Sequence, residues 1–102
     1  MNYRDTAEML KILSDESRLE IIDLLSCNEL CAHDILNYFN FSQPTLSHHM
    51  KVLVDNGVVL KRREGNKFMY RLNNDQLSEI KVTLDLITKP TDQCICNAIT
   101  RG

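Results

Sequence analysis

The sequence is poor in the residues that mark linkers, repeats and membrane spans. Its 102 residues contain two prolines, three glycines and no tryptophan, and they form neither an internal repeat nor a low-complexity segment. No apolar run approaches the length that crosses a membrane, and the N-terminus lacks the hydrophobic region of a signal peptide. With 43% hydrophobic residues, we expect a single small cytoplasmic domain with a modest core.

Disulfide bonds are not expected either, although the chain has four cysteines. The cytoplasm keeps thiols reduced, so cysteines there are better interpreted as metal ligands or redox thiols. The cysteines are therefore candidates for chemistry rather than for structural cross-links.

The chain is organised around a helix that we predict between Phe41 and Gly57. Ser42 is a natural N-cap, Pro44 fits a first helical turn, and Gly57 after an asparagine is a typical stop. One apolar stripe runs along this helix at i, i+4, i+7 and i+8, formed by Leu46, Met50, Leu53 and Val54. The segment is therefore an amphipathic helix.

The opposite face of this helix is polar and has no carboxylate before Asp55. It carries Gln43, Thr45, Ser47, His48 and Lys51. Such a face suits DNA, because its N-terminal residues can meet base edges and its amides can meet phosphate. An ordinary amphipathic helix would explain this segment equally well if it stood alone.

The flanking segments favour the DNA-binding interpretation. Cys31 to Phe39 is predicted as a short helix, which gives helix-turn-helix geometry with the helix that follows. Downstream, Val58–Arg63 and Phe68–Leu72 resemble strands joined by a loop at 64–67, where Gly65 and Asn66 can supply positive φ. The predicted fold is mainly α with a small β-hairpin wing: a winged helix-turn-helix of order ααααββα, dimeric, over residues 1–90.

Charge is gathered where this fold would meet DNA. The net charge of −2 argues by itself against nucleic-acid binding. However, residues 42–71 carry six basic and two acidic side chains, for a charge of +4, while the rest of the chain carries −6. The residues expected to contact operator DNA are Ser42, Gln43, Thr45, Ser47, His48 and Lys51 on the helix, and Arg62, Arg63 and Lys67 on the wing.

Three further helices complete the predicted order. The first spans Tyr3 to Leu13, the second follows an N-cap at Asp15 and ends near Ser26, and the last begins after a cap at Asn74 or Asp75 and ends near Thr88. The residues predicted to be buried on the first two helices are Ala7, Leu10, Leu13, Leu19, Ile21, Ile22 and Leu25, with Met9 and Ile12 beside them.

The last helix carries an apolar seam with heptad-like spacing, formed by Leu77, Ile80, Leu84 and Ile87. It could pack on its own domain. Since a small DNA-binding protein commonly uses two half-sites, we favour a homodimer interface built from the first and last helices.

From about Tyr3 to Leu84 the chain resembles the ArsR/SmtB family of metal-responsive winged-helix repressors, above all its arsenic- and antimony-responsive members. The resemblance implies a homodimer that represses a resistance operon and leaves DNA when a metal or metalloid binds. Where such members carry Cys-x-Cys, this chain has Cys31-Ala-His33, which leaves the inducing ion open. The motifs that carry the resemblance are Leu13-Ser-Asp-Glu-Ser-Arg-Leu-Glu-Ile, Leu30-Cys-Ala-His-Asp, Ser42-Gln-Pro-Thr-Leu-Ser-His-His-Met-Lys-Val-Leu and Gly65-Asn-Lys-Phe-Met-Tyr-Arg-Leu.

Cys31 and His33 are the first candidate ligands. A cysteine at a helix start favours the thiolate, but residues i and i+2 do not share a helix face, so joint chelation needs a deformed first turn. A thiolate with an imidazole suits zinc, copper or cadmium better than arsenite. Cys31 as a small buried residue and His33 as a solvated one are the alternatives.

Cys94 and Cys96 form a second soft pair, in a polar tail over 91–102 that we expect to be flexible. With Cys31 they would supply the three thiolates that arsenite or antimonite prefers; Cys27 could assist. Oxidation of these thiols would instead make a redox-sensing repressor.

Other sites and functions are less well supported. The family's second metal site, on the last helix, is not expected, because this helix contains no histidine. His49 is assigned to packing within the helix-turn-helix. A protein-interaction module that uses the basic hairpin remains an alternative, whereas a zinc enzyme is disfavoured because Glu29 and Asp34 are the only acids near the thiols.

Overall fold

The computed structural model describes residues 1–90. The predicted thiol pair Cys94 and Cys96, and with it the predicted tail, lies outside the described residues. The order of the elements is α1 (Tyr3–Leu13), α2 (Glu16–Leu25), β1 (Leu30–Cys31), α3 (Ala32–Tyr38), α4 (Gln43–Asp55), β2 (Val59–Glu64), β3 (Lys67–Leu72) and α5 (Asn74–Thr88). This is the winged helix-turn-helix that the sequence predicted, with one additional short strand.

The helix boundaries follow from local capping. Asp15 accepts a hydrogen bond from the backbone N–H of Arg18 at 3.0 Å, and Ser42 accepts one from Thr45 at 3.3 Å, as expected for N-caps. Helix α4 ends before Gly57, whose φ of 75° is easily reached only by glycine. The last helix is capped by the side chain of Asn73, one or two residues before the predicted cap at Asn74 or Asp75.

The core lies between the helix-turn-helix and the sheet. Helix α4 packs on β2, α2 packs on α4 and β3, and α1 packs on α2 and α5. The apolar stripe of α4 is buried at Leu46, Met50 and Leu53 and half-buried at Val54, so the prediction for this helix is confirmed. The largest fully buried side chains are Ile21, Ile35, Leu53, Val58 and Val59.

The buried faces of α1 and α2 differ from the prediction. On α1, Ala7 and Leu10 are exposed and Leu13 is half-buried; Met9, predicted beside the buried face, is buried, and so is Thr6, which was not predicted. A threonine is tolerated there because its hydroxyl donates a hydrogen bond to the carbonyl of Asn2 at 2.8 Å. On α2, Leu19 is also exposed, whereas the other predicted residues are buried or half-buried.

The sheet has three antiparallel strands in the order β1-β3-β2. The two-residue β1 was not predicted, because Cys31 had been placed inside the next helix; it is the N-cap of α3 instead. In the hairpin loop, Gly65 has φ of 62°, as expected, while Asn66 does not have positive φ. A glycine at the first central position is typical of a type II′ turn.

Helix α5 divides its apolar residues between two surfaces. Ile80, predicted at the centre of the dimer interface, is only 4% exposed and belongs to the core of its own protomer. Leu77 and Leu84 are half-buried against that core. The predicted seam is thus in large part an internal packing surface; of its four residues only Ile87 is exposed, next to exposed Val82 and Leu86.

Candidate nucleic-acid interface and thiol site

An open groove of about 550 Å³, which we call the α4 groove, runs along α4 and is lined by residues of its polar face and of its apolar stripe. Gln43, Ser47 and Lys51, spaced by one helical turn each, line it from α4. Lys61 of β2 lines it from the wing, and His33 lines it from α3. The groove therefore brings hydrogen-bonding side chains and cations from three elements to one concave surface.

The remaining polar residues of α4 lie at its exposed start and outer edge. Ser42, Thr45 and His48 are all exposed. The Ser42 hydroxyl donates to Oγ1 of Thr45 at 2.8 Å, so these two side chains order each other at the helix N-terminus. The positive end of the α4 helix dipole lies here, and it favours an anion such as phosphate.

Lys51 is held by an acidic neighbour one turn away. Its Nζ lies 2.8 Å from Oδ2 of Asp55, and this hydrogen bond raises the pKa of Lys51 above 10.5. Both side chains are well exposed, so the ion pair adds little stability. It leaves Lys51 charged and near the end of the α4 groove.

His49 serves packing rather than the exposed face. Its Nδ1 lies 3.5 Å from a terminal nitrogen of Arg18, whose Nε donates to the carbonyl of Ile12 at 2.7 Å. On its other side the imidazole packs near the ring of Phe41, with centroids 5.9 Å apart. Half-buried His49 therefore links α4 to α2, as its assignment to packing anticipated.

The wing has two chemically different faces. On one face, Lys61 Nζ lies 4.1 Å from the centroid of the Phe68 ring, and the guanidinium carbon of Arg63 lies 6.0 Å from it. Arg63 is directly opposite Phe68 in the β2–β3 pairing. Because Lys61 also lines the α4 groove, this face continues the surface presented by α4.

Lys61 and Phe68 were not among the predicted contacts, although strand alternation could have found them. Residues two apart on a strand share a face, which places Lys61 beside Arg63 and separates both from Arg62. Phe68 is 42% exposed, which is unusual enough for a large aromatic residue to mark a surface of interest.

Arg62 points to the opposite face and is occupied by two carboxylates. Its Nε donates to Oε2 of Glu29 at 2.9 Å, a terminal nitrogen donates to the second oxygen of Glu29, and the same nitrogen donates to Glu64 at 2.9 Å. These hydrogen bonds raise the pKa of Arg62, and the Arg62 guanidinium lowers the pKa of Glu29. The structure thus places Arg62 on the opposite face from Arg63, with which the sequence had grouped it, whereas Lys67 shares the face of Arg62. Lys67 is exposed at the hairpin end, opposite Glu64.

Cys31 occupies the junction between β1 and α3. Its side chain is buried, its Sγ lies 3.1 Å from Oδ2 of Asp34, and its backbone N–H donates to the same oxygen at 3.4 Å. The thiol donates to a carboxylate that is the third residue of α3, and these hydrogen bonds lower the pKa of Asp34. Cys31 also lies opposite Met69 in the sheet.

The structure does not bring Cys31 and His33 onto one surface. His33 is exposed, lies 3.2 Å from the side-chain nitrogen of Asn37 through its Nε2, and faces the α4 groove. Cys27 is exposed beyond the end of α2. Within residues 1–90, no group of three or more histidine, cysteine, aspartate or glutamate side chains is positioned to hold a metal ion. A three-thiol site within one chain would therefore need at least one of Cys94 and Cys96.

An apolar surface lies on the outer side of α5. It includes Val82, Leu86 and Ile87, which are 57%, 65% and 51% exposed, together with Tyr3 of α1. These residues line a groove of about 560 Å³ between the start of α1 and α5. Exposed apolar residues clustered in this way are typical of a protein–protein interface.

The comparisons with known proteins agree with this architecture. Residues 15–61 match the family model described as bacterial regulatory protein, arsR family. The chain is 54% identical over 102 residues to an arsenical resistance operon repressor of Staphylococcus aureus, which covers 100% of this chain and 98% of that protein. It is 35% identical over 80 residues to a cadmium resistance transcriptional regulatory protein CadC homolog of Staphylococcus aureus, covering 78% of this chain and 66% of that protein.

A solved structure gives the same fold. The homodimeric winged helix-turn-helix DNA-binding domain of a Mycobacterium bovis protein matches with a TM-score of 0.68 at 26% identity, covering 83% of this chain and 79% of that one. In the part of the chain that the structure describes, no helix is both long and apolar enough to cross a membrane.

Proposed function

This chain belongs to the ArsR family of bacterial regulatory proteins, and we propose that it is a homodimeric repressor that releases its operator when arsenite or antimonite binds its thiols. It is a DNA-binding transcriptional regulator and not an enzyme. The observation that supports this most directly is the α4 groove, where the polar face of α4 and the wing cation Lys61 share one surface.

Operator binding uses this surface from both sides. Gln43, Thr45, Ser47 and His48 read base edges in the major groove, where amide and hydroxyl side chains discriminate between base pairs. The wing contributes Lys61, Arg63 and Lys67 to phosphate or the minor groove. Ser42 and Lys51 contact the DNA backbone at the two ends of α4.

Dimerisation uses the outward apolar surface of α5. Val82, Leu86 and Ile87 of one protomer, with Tyr3, pack on the same residues of its partner around a two-fold axis. Half-buried Leu77 and Leu84 flank this contact. The dimer then presents two copies of α4 to two operator half-sites.

The inducer binds Cys31 together with Cys94 and Cys96, from the same chain or its partner. Arsenite enters as As(OH)₃. Each of three As–S bonds replaces an As–O bond, and each thiol proton leaves with the displaced hydroxide as water. A site that pairs Cys31 with His33 for zinc, cadmium or copper is the alternative, and it requires the first turn of α3 to deform.

The effect of inducer binding at Cys31 is transmitted to α4 through the turn between α3 and α4. The rings of Phe39 and Phe41 stack with centroids 5.0 Å apart, and Phe41 packs against His49 on α4. Because this aromatic contact fills the short turn, tilting α3 also tilts α4. A change of about 1–3 kcal/mol between the two states lowers operator affinity about 5- to 150-fold.

The test is operator binding by the reduced full-length protein, titrated with arsenite, antimonite, cadmium, zinc and copper. We expect release by arsenite or antimonite, and loss of release in the double variant Cys94→Ser, Cys96→Ser. If a metal still causes release in this double variant but not when His33 is replaced, the inducer site is instead the Cys31–His33 site for zinc, cadmium or copper. Release by oxidant alone would make the protein a redox sensor, and affinity independent of salt would indicate a protein-interaction module.

A further inference from the structure

An ion pair joins the segment that carries Cys31 to the wing. Glu29 precedes β1 by one residue, and it accepts two hydrogen bonds from the Arg62 guanidinium in β2, one of them 2.9 Å long. The Glu29 side chain is 24% exposed, which makes it the most shielded carboxylate among the ion pairs of residues 1–90. A two-pronged contact of this kind fixes orientation as well as distance.

The sheet joins the same two segments a second time. Cys31 is directly opposite Met69, and Met69 is directly opposite Arg62. Directly opposed residues of antiparallel strands project to the same face, so these three side chains form one row across the sheet. The row runs from the thiol to the guanidinium that Glu29 holds.

The other face of the same strand carries the wing's DNA-facing cations. Lys61 and Arg63 flank Arg62 in β2 and share Phe68 as their aromatic neighbour. A rotation or displacement of β2 therefore moves all of them together. Any movement of the Glu29–Cys31 segment that pulls on Arg62 also changes how Lys61 and Arg63 approach DNA.

We propose that Glu29, acting through Arg62, is a positioning residue that transmits inducer binding at Cys31 to the wing, in parallel with the route through α3. This rests on the proposed function, because it requires inducer capture at Cys31. The wing, as well as α4, then leaves its DNA-binding position when the inducer binds.

Glu64 provides a matched control. It also accepts a hydrogen bond from Arg62, at 2.9 Å, but it lies in β2 and so does not bridge to the Cys31 segment. Glu29→Gln and Glu64→Gln make the same change in charge and remove a partner of the same arginine. They differ in whether the lost contact crosses from the Cys31 segment to the wing.

The experiment measures the factor by which saturating arsenite weakens operator binding, using full-length wild-type protein and both variants. Because this factor is the ratio of operator affinities without and with arsenite, the general effect of the lost carboxylate charge on DNA affinity cancels. We expect Glu29→Gln to reduce this factor about 2- to 30-fold and Glu64→Gln to leave it within about twofold. Arsenite affinity without DNA, measured by calorimetry, should be nearly unchanged in both variants.

Arg62→Lys repeats the test without changing charge, since lysine cannot make the two-pronged contact. It also serves if Glu29→Gln fails to fold. An unchanged factor in Glu29→Gln and Arg62→Lys, or an equal reduction in Glu64→Gln, would overturn this inference while leaving the proposed function intact. Failure of arsenite to release wild-type protein would overturn both.

Discussion

The Sγ atom of Cys31 lies 3.1 Å from Oδ2 of Asp34, so the buried thiol is tied to the first turn of α3. The same carboxylate oxygen accepts from the backbone N–H of Cys31 at 3.4 Å. In the proposed capture of arsenite, the Cys31 proton leaves with a displaced hydroxide as water, which removes the first of these hydrogen bonds and leaves an arsenic-bound sulfur beside the Asp34 carboxylate. We therefore expect inducer capture at Cys31 to disturb the start of α3 directly, and α3 leads into α4, which we propose reads the operator.

We predict that the exposed hydroxyl of Ser47 reads a base edge in the major groove. Replacing it in Ser47→Ala should cost about 1–3 kcal/mol of discrimination at one operator base pair, because a base contact is lost and phosphate contacts remain. Binding to a set of operators with single base changes measures this. Uniform weakening on every sequence would instead assign Ser47 to the DNA backbone.

The two neighbouring wing arginines should behave differently. Arg63→Gln should weaken all sequences alike and reduce the slope of log affinity against log salt by about one, because one phosphate contact is lost. Arg62→Gln should leave this slope nearly unchanged, because Glu29 and Glu64 hold its guanidinium and no phosphate contact is lost. Affinities measured over a range of salt concentrations compare the two. Equal slopes for both variants would contradict the two-faced wing.

A charge on the outer face of α5 should separate the dimer. Leu86→Glu places a carboxylate at the centre of the exposed apolar surface, and we expect monomers by sedimentation with poor operator binding. Leu19→Glu, a similar change at an exposed leucine of α2, should remain dimeric. Ile80 is unsuitable for this test, because a charge there would be buried in the protomer's own core. If the Leu86→Glu protein remained dimeric, the dimer interface would lie on another surface.

Stability should fall in acid partly through Asp15. The backbone N–H of Arg18 lowers the pKa of this N-cap below 3.8 in the folded state. Its stabilising effect is therefore complete above the ordinary pKa and is lost as pH falls through the lower folded-state value. Asn caps helices about as well and does not titrate. As the pH is lowered from 7 to 2, the thermal midpoint of Asp15→Asn should therefore rise relative to that of wild type, until it approaches or exceeds it.

A control variant separates the cap from its charge. Asp15→Ala removes the cap at every pH and should lose about 1 kcal/mol at pH 7. If the difference between wild type and Asp15→Asn did not change with pH, the Asp15 carboxylate would not be the group responsible.

The fold was largely predictable because its signals are local. Ser42, Pro44 and Gly57 mark the ends of α4 through backbone geometry, and the spacing of Leu46, Met50 and Leu53 fixes its buried face. Strand β1 was not predictable in this way, because two residues carry no periodicity and Cys31 joins the sheet only through its tertiary pairing with Met69. The burial of Thr6 also depends on a hydrogen bond that no hydrophobic pattern reveals.

The kind of site could be predicted from the sequence, but the partners of its side chains were harder to predict. The polar face of α4 follows from the sequence, whereas the ion pair of Arg62 with Glu29 spans 33 residues and depends on how the sheet folds. Tertiary packing also decides which residues of α5 are exposed. The regular spacing of its apolar residues does not show which of them the core of the same protomer buries. Ile80 was therefore placed outside, and Val82 and Leu86 were not assigned.

The most direct test of the proposed switch is the ratio of operator dissociation constants with and without saturating arsenite, for the reduced wild-type protein and for Cys31→Ser. Serine keeps the size of the side chain and lacks the thiolate, and it lies away from the DNA-facing side chains. We expect a ratio of about 5 to 150 for the wild type and a ratio near one for Cys31→Ser, with similar arsenite-free affinities. Equal ratios in the two proteins would contradict a switch that begins at Cys31.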